Sequence, residues 1–395
     1  MMQMENVKVL TEQRGVQITQ KFSAMFGAEP LLVRSPGRIN IIGEHTDYNG
    51  GLVMPAAIDK AVYVAVARRT DKQIHLYSEN YGAHFLADIT SIRPSEMAWA
   101  NYILGVANEF VQLGHQIDGF NLYIVGDVPL GAGLSSSAAV ECATAFALQT
   151  LHGISLSKMD LALISQRAEH NFAGVNCGIM DQFASVFGRS GHAMLLDCRS
   201  MEYVYVPLSL EGYKLVLLNT NVKHSLSDSA YNRRREECEL GLSWVREFHS
   251  EVEYLCNVDQ EMLLAYVKPK DEAVYRRCRY VVAEIGRVKA AALALSKGEL
   301  SMLGQLMFDT HRGLSEDYEV SCRELDFLVD QVKGLDAVLG ARMMGGGFGG
   351  CTLNIVRNGE VEALVERLSD TYLKEFGLEL DAYVVETSDG SHVVA

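Results

Sequence analysis

The sequence predicts a globular chain that mixes helices and strands, built either as two or three compact units or as one large two-lobed body. Three observations carry this. The chain has 395 residues, more than one ordinary domain needs. It is 48% hydrophobic and 22% charged, enough apolar surface for a sizeable core. Strand-like and helix-like segments alternate along it, and their character shifts near 205–213. A disordered chain, a collagen-like chain and a small disulfide scaffold are excluded by the same numbers. The formal net charge of −15 leaves no basic footprint for nucleic acid. An anionic ligand must therefore be held locally, by loops, a metal ion or a few placed Arg.

The elements follow in order. Residues 11–27 read as a lead-in helix. Residues 60–68 (KAVYVAVAR) and 120–128 (FNLYIVGDV) read as strands, rich in β-branched residues. Residues 136–151 are Ala-rich, with Glu141 the one charge, and read as a buried helix. Residues 157–172 open on Ser157-x-x-Asp160, a capping-box-like start to an amphipathic helix. Further on, 214–220 is a strand, a long Arg/Glu-rich helix covers 228–250, and helical patterns recur at 271–297 and 320–333. Residues 351–356 return to strand, and 359–375 form a charged helix.

No apolar run approaches the roughly 18 residues that a membrane span requires. Residues 1–13 carry charges and no apolar signal core, so no export signal is read. Eight Cys occur without a CxxC pair, and HExxH is absent. Free thiols in a reducing cytosol are expected, and no zinc site.

Four stretches carry chemistry. In the first, Pro129-Leu130-Gly131-Ala132-Gly133-Leu134-Ser135-Ser136-Ser137-Ala138-Ala139 lies between a strand and the Ala-rich helix. Gly131 and Gly133 let the backbone bend. The unpaired N–H groups of a helix start attract phosphate, and small residues let it approach. Three hydroxyls can donate to phosphate oxygens, and one can ligate Mg²⁺. The common P-loop pattern is missing and the stretch has no Lys, so metal and backbone must neutralise the phosphates.

The second stretch packs Glu44, His45 and Asp47 into four residues of the run from Gly37 to Gly51. Such a set suits a polyhydroxylated ligand, and an exposed polar loop fits the same composition. The third combines Glu169 with the loop Gly178-Ile179-Met180-Asp181-Gln182 and with Tyr231. A lone Asp such as Asp181 is more often a helix cap than a catalyst, so taken by itself it is ambiguous. Arg233, Arg234 and Arg235 read as a solvated face pairing with Glu236 and Glu237. Whether Glu141 faces phosphate or a neighbouring helix stays open. The fourth, Gly345 to Gly350, contains a formal G-x-G-x-x-G but runs into a strand instead of a helix. A dinucleotide fingerprint is therefore rejected in favour of a close-approach hairpin.

Together, in this order, the stretches resemble the GHMP small-molecule kinases, and within them the galactokinase family. The Gly37 to Gly51 run is the specific part, and the likeness spans about residues 30–390. The resemblance implies an α+β, two-lobed fold with mixed or antiparallel sheets and helices, and an active site in the cleft between lobes 1–208 and 209–395. It implies ATP-dependent phosphorylation of the C1 hydroxyl of galactose, as in galactose catabolism. By motif, Arg38 and Asp181 would be catalytic, Asp181 either taking the hydroxyl proton or orienting the group. Glu44, His45, Thr46, Asp47, Gly178, Asp181 and Tyr231 would border the sugar. Gly131, Ala132, Gly133, Leu134, Ser135, Ser136 and Ser137 would wrap ATP, and Ser137 and Glu169 would hold Mg²⁺. The family's layout suggests residues 77–80 and 99–102 for the adenine. Other acceptors (N-acetylgalactosamine or a pentose) and a non-catalytic galactose sensor are the alternatives, although the intact Ser135 to Ala139 run speaks against a sensor. Monomeric and cytoplasmic are the default expectations, with no nucleic-acid or membrane partner.

Overall fold

The computed structural model describes residues 2–129, 131–222 and 227–394; Leu130, quoted above, lies outside them. The described residues form three sheets. In the first, the strands run in the order His392–Val393, Leu31–Asn40, Pro55–Arg68, Phe120–Gly126, Gln73–Ser78 and Ala83–Asp88. The Phe120–Gly126 and Gln73–Ser78 pair is parallel and the other pairs are antiparallel. Period-2 alternation explains how Pro55–Arg68 is buried on both faces. Ala61, Tyr63, Ala65 and Ala67 meet Ile18 and Phe22 of the lead-in helix, which spans Met2–Phe26. Val62, Val64 and Val66 point the other way, into the main core.

The helices Ala98–Gln112, Ser136–His152, Lys158–Ala168 and Met180–Phe187 pack on that second face. The expected capping box is present: the Ser157 hydroxyl accepts from the Asp160 N–H, and Asp160 accepts from the Ser157 N–H. The helical stretch expected to reach residue 172 ends as a π-turn, Glu169–Ala173, closed by Gly174 at φ 75°.

The second sheet is antiparallel, ordered Val338–Met343, Cys351–Arg357, Tyr213–Asn219 and Asp381–Val385. One face packs on Val361, Leu364, Leu368 and Tyr372 of the helix Val361–Phe376. The other, through Leu215, Leu217, Leu353 and Ile355, continues the main core. A separate core lies beneath Ser227–Arg246 and Glu272–Lys297. The small third sheet joins Leu52–Val53, His192–Asp197 and Tyr203–Pro207. After Asp381–Val385 the chain returns to pair His392 and Val393 with the first sheet. Mixed and antiparallel sheets with helices are thus the architecture that the resemblance implied.

Candidate active site

The site begins at an irregularity. The register of Leu31–Asn40 against Pro55–Arg68 shifts between Pro36 and Arg38. A Cβ on Gly37 would sit 2.8 Å from the Leu134 carbonyl oxygen, so only glycine allows the approach that lets the Arg38 N–H bond it at 3.1 Å. Bulges of this kind re-aim side chains. Here Arg38 reaches Asp181, Nε donating to Oδ1 at 2.8 Å, while Nη1 donates to the Gly133 carbonyl.

Asp181 stands in the first turn of Met180–Phe187, and its other oxygen accepts from the Ser135 hydroxyl. Ser135 precedes Ser136–His152 in the left-handed region, φ 56°, which costs a non-glycine residue strain of order 1–3 kcal/mol. Its hydroxyl, used on Asp181, does not cap the helix, so that helix start keeps its N–H groups for another anion. Gly131 and Gly133 are left-handed at φ 73° and 71°. Ala132 and Leu134 bury their side chains and offer only backbone to a ligand. The 345–350 run closes on this loop, with the Gly345 Cα 3.9 Å from where a Gly133 Cβ would stand.

Two cavities meet here. One is lined by Tyr81, Trp99, Tyr102, Ser78, Asn80, Ser136 and Ser137. The expected adenine residues Ser78, Asn80, Trp99 and Tyr102 therefore surround a pocket, and the Tyr81 and Trp99 rings are parallel to within 13°. Tyr77, also in the expected segment, turns to the other face against Tyr123. The second cavity gathers Arg38, Glu44, His45, Asp47, Glu169, Gly178, Asp181 and Tyr231. The boundary between them is the Ser137 hydroxyl, which donates to Glu169 at 2.9 Å.

Thr46 is not brought into either cavity. It is fully buried and its hydroxyl faces the Gly43 and Leu52 carbonyls, so it holds the loop together. Gly178 earns its place by size: a Cβ there would lie 1.9 Å from Asp47 Oδ2. Arg233 and Arg235 lie along the outside, pairing with Glu237 and Glu239. Arg234 departs from the expected solvated face: it is buried and donates to the Tyr318 and Glu319 carbonyls.

The electrostatics separate the carboxylates. Burial opposes the Glu44 charge, but Arg342 and Arg38 outweigh it and hold its carboxyl below the usual range. Burial, with Asp181 next to it, pushes Asp47 up to about 7. Burial and Asp181 raise Glu169, and burial with Glu169 beside it raises Glu141 well above an ordinary carboxyl. Glu141 is completely buried, takes a hydrogen bond from Gln182 at 3.2 Å, and keeps Oε1 without a partner. It therefore faces the helix Met180–Phe187 and Glu169, the question left open above. Among the described residues no three His, Cys, Asp or Glu converge as a closed metal centre. Ser137 and Glu169 do present two hard oxygens beside a buried, unpartnered carboxyl oxygen, a donor chemistry that fits Mg²⁺.

Sequence reasoning missed several partners. Arg342 is fully buried and donates to Glu44 Oε1 at 2.8 Å and to the carbonyls of Asn40, Ile41 and Met343. Gly345 N–H and Asn40 Nδ2 complete the shell of Glu44. Tyr48, Tyr318 and Cys177 also border the site. A lone Arg before a glycine run was the only available signal for Arg342.

An Arg–carboxylate pair in an acidic pocket that adjoins an aromatic one, beside a helix N-terminus, on this fold, defines a small-molecule kinase of the GHMP type. The comparisons agree. The GHMP kinases N terminal domain family matches residues 101–189, and the GHMP kinases C terminal family matches 291–374. The galactokinase galactose-binding signature matches residues 20–68. A galactokinase of Halalkalibacterium halodurans is 43% identical over 90% of this chain and 91% of its own length. That of Thermotoga maritima is 41% identical over 91% and 99%. The crystal structure of Lactococcus lactis galactokinase complexed with galactose is similar with a TM-score of 0.92, at 36% identity, covering 96% of this chain and 99% of that one. Mevalonate kinase of Methanococcus jannaschii, TM-score 0.65 at 17% identity, shares the fold. The chain belongs to the galactokinase family.

Proposed function

We propose that the protein transfers the γ-phosphoryl group of ATP to the C1 hydroxyl of galactose, giving galactose 1-phosphate and ADP. The observation that carries this is the Arg38–Asp181 pair in the acidic cavity, tied by the Ser135 hydroxyl to the start of the helix that borders the other one. The acidic cavity suits a ligand that donates several hydroxyl hydrogen bonds, and the glycine and serine loop suits a phosphate chain.

Phosphoryl transfer passes through a loose transition state, so position and charge matter most. The C1 oxygen bonds to the γ-phosphorus as the bond to the bridging oxygen breaks, and ADP departs with that electron pair. Asp181 takes the C1 proton or aligns the hydroxyl until the proton moves. Arg38 is held beside it and faces the charge that shifts during transfer. Ser137 and Glu169 would hold Mg²⁺, which supplies neutralisation of the phosphates when bound. Ser135, Ser136 and the backbone from Gly131 to Leu134 would cradle the triphosphate, with the base between Tyr81 and Trp99. The reading includes lobes dividing near residue 208 and a cytoplasmic monomer. Among the described residues, no helix is long and apolar enough to cross a membrane.

The test is an ADP-release assay with galactose, N-acetylgalactosamine, a pentose and no sugar. Galactose-dependent ADP formation is expected. ADP release that ignores sugar, or that favours another acceptor, would overturn the assignment.

A further inference from the structure

A buried hydrogen-bond chain runs from the acidic cavity into the separate core beneath the helices Ser227–Arg246 and Glu272–Lys297, and no step above uses it. At its head His45 sits in the left-handed region, φ 62°, its carbonyl held by Asn49 Nδ2 at 2.9 Å. His45 Nε2 lies 3.2 Å from the Gly346 carbonyl oxygen, and Nδ1 lies 2.6 Å from the Tyr48 hydroxyl. Tyr48 meets the Tyr318 hydroxyl at 2.9 Å, and Tyr318 meets Cys238 Sγ at 3.2 Å.

The direction of the chain follows from its first contact. A carbonyl oxygen only accepts, so Nε2 carries the hydrogen. Burial holds the imidazole down at about 4, against which Glu44 acts and to which Arg234 and Arg342 contribute, so the ring is neutral near pH 7 and Nδ1 is bare. Tyr48 must then donate to Nδ1, Tyr318 to Tyr48, and the Cys238 thiol to Tyr318. The cavity needs such a donor. Glu44 and Asp181 accept, and Arg38 already donates to Asp181 and Gly133. A sugar hydroxyl that gives its hydrogen to a carboxylate still has lone pairs to satisfy.

We propose that Tyr48 and Tyr318 are positioning residues that hold the His45 ring through Nδ1, so that its Nε2–H lies between the Gly346 carbonyl and a hydroxyl oxygen of the acceptor sugar and is shared by the two. This rests on the sugar-kinase reading above. With the opposite tautomer a bare Nε2 would face the Gly346 carbonyl, a repulsive contact, and Tyr48 would have to accept from Nδ1 and reverse the chain.

The experiment is ¹H–¹⁵N NMR of the full chain labelled in its histidines, with the His45 signals identified by their loss in His45→Gln. The sugar-free parent should show a neutral ring with hydrogen on Nε2. Tyr48→Phe should shift the ¹⁵N signal of the bare Nδ1, which loses its hydrogen bond, and raise KM for galactose about tenfold, the worth of one buried hydrogen bond, while kcat and KM for ATP stay within about twofold. Tyr318→Phe should move KM for galactose in the same direction by less. Hydrogen on Nδ1 or a charged ring in the parent would overturn the proposal, and that measurement needs no variant to fold. So would a Tyr48→Phe variant whose Nδ1 signal is unchanged, or whose KM stays put or rises equally for both substrates. A parent that phosphorylates no galactose would instead sink the functional reading, while the tautomer of the sugar-free protein still decides this one.

Discussion

The two cavities that meet at Ser137 and Glu169 are built on opposite plans. The acidic one is assembled from buried charges. Glu44 takes three donors, and Arg342, drawn from a strand 298 residues away, makes four hydrogen bonds with no exposed surface. Such groups are costly to bury unless every valence is met, and once met they fix geometry tightly. The nucleotide side relies on glycine backbone, hydroxyls, a helix start and aromatic rings. The contrast fits the ligands. A sugar is told from its epimers by the direction of single hydroxyls, which calls for rigid side chains. A triphosphate is the same anion every time, and backbone N–H groups suffice for it.

Changes on the acidic side should therefore cost most. Asp181→Asn is expected to lower kcat by about 10²- to 10⁴-fold, the usual worth of a general base, while calorimetry still registers ATP. Near-normal turnover would remove Asp181 from the chemistry. Arg342→Met leaves Glu44 charged and buried, so urea unfolding should show a loss of about 3–5 kcal/mol, partly restored by adding Glu44→Gln. Unchanged stability would mean that the pair does not anchor the cavity.

Asp47 sharpens the comparison through pH. Its folded value of about 7 is raised, so the carboxylate that accepts a sugar hydroxyl fills as pH climbs through 7. kcat/KM for galactose should rise across that window in the parent and lose that limb in Asp47→Asn. The sign for stability is opposite. A raised acid favours the folded state below its unfolded value, and that contribution fades as pH rises through 7. Asp47→Asn should thus gain stability relative to the parent between pH 5 and 8. The smallest effect belongs to the nucleotide side. Ser137→Ala should raise KM for Mg²⁺-ATP about tenfold and leave KM for galactose alone. A galactose effect of equal size would erase the division of labour.

What could be read from sequence follows the same divide. The nucleotide loop is local: glycines, serines and a helix start lie within a dozen residues, and the glycine run could be separated from a dinucleotide motif because a strand follows it. The capping box at Ser157 is equally local. The acidic cavity is built from long-range contacts. The glycine run after Arg342 marks a close approach but not its target, and nothing near Tyr318 announces that it closes on the 40–48 segment. Thr46 was grouped with its neighbours by adjacency, yet the left-handed turn at His45 sends its hydroxyl inward. Arg234 looked like part of a charged face because one helix position in three can turn to the core without leaving a mark in composition.

The most direct measurement is the identity of the product. Phosphorus and carbon NMR of a reaction with Mg²⁺-ATP and galactose should show ADP formed in step with sugar consumed and phosphate coupled to C1. Phosphate on any other carbon, or ADP accumulating equally without sugar, would contradict a site in which Asp181 and Arg38 bring one hydroxyl to one phosphoryl group.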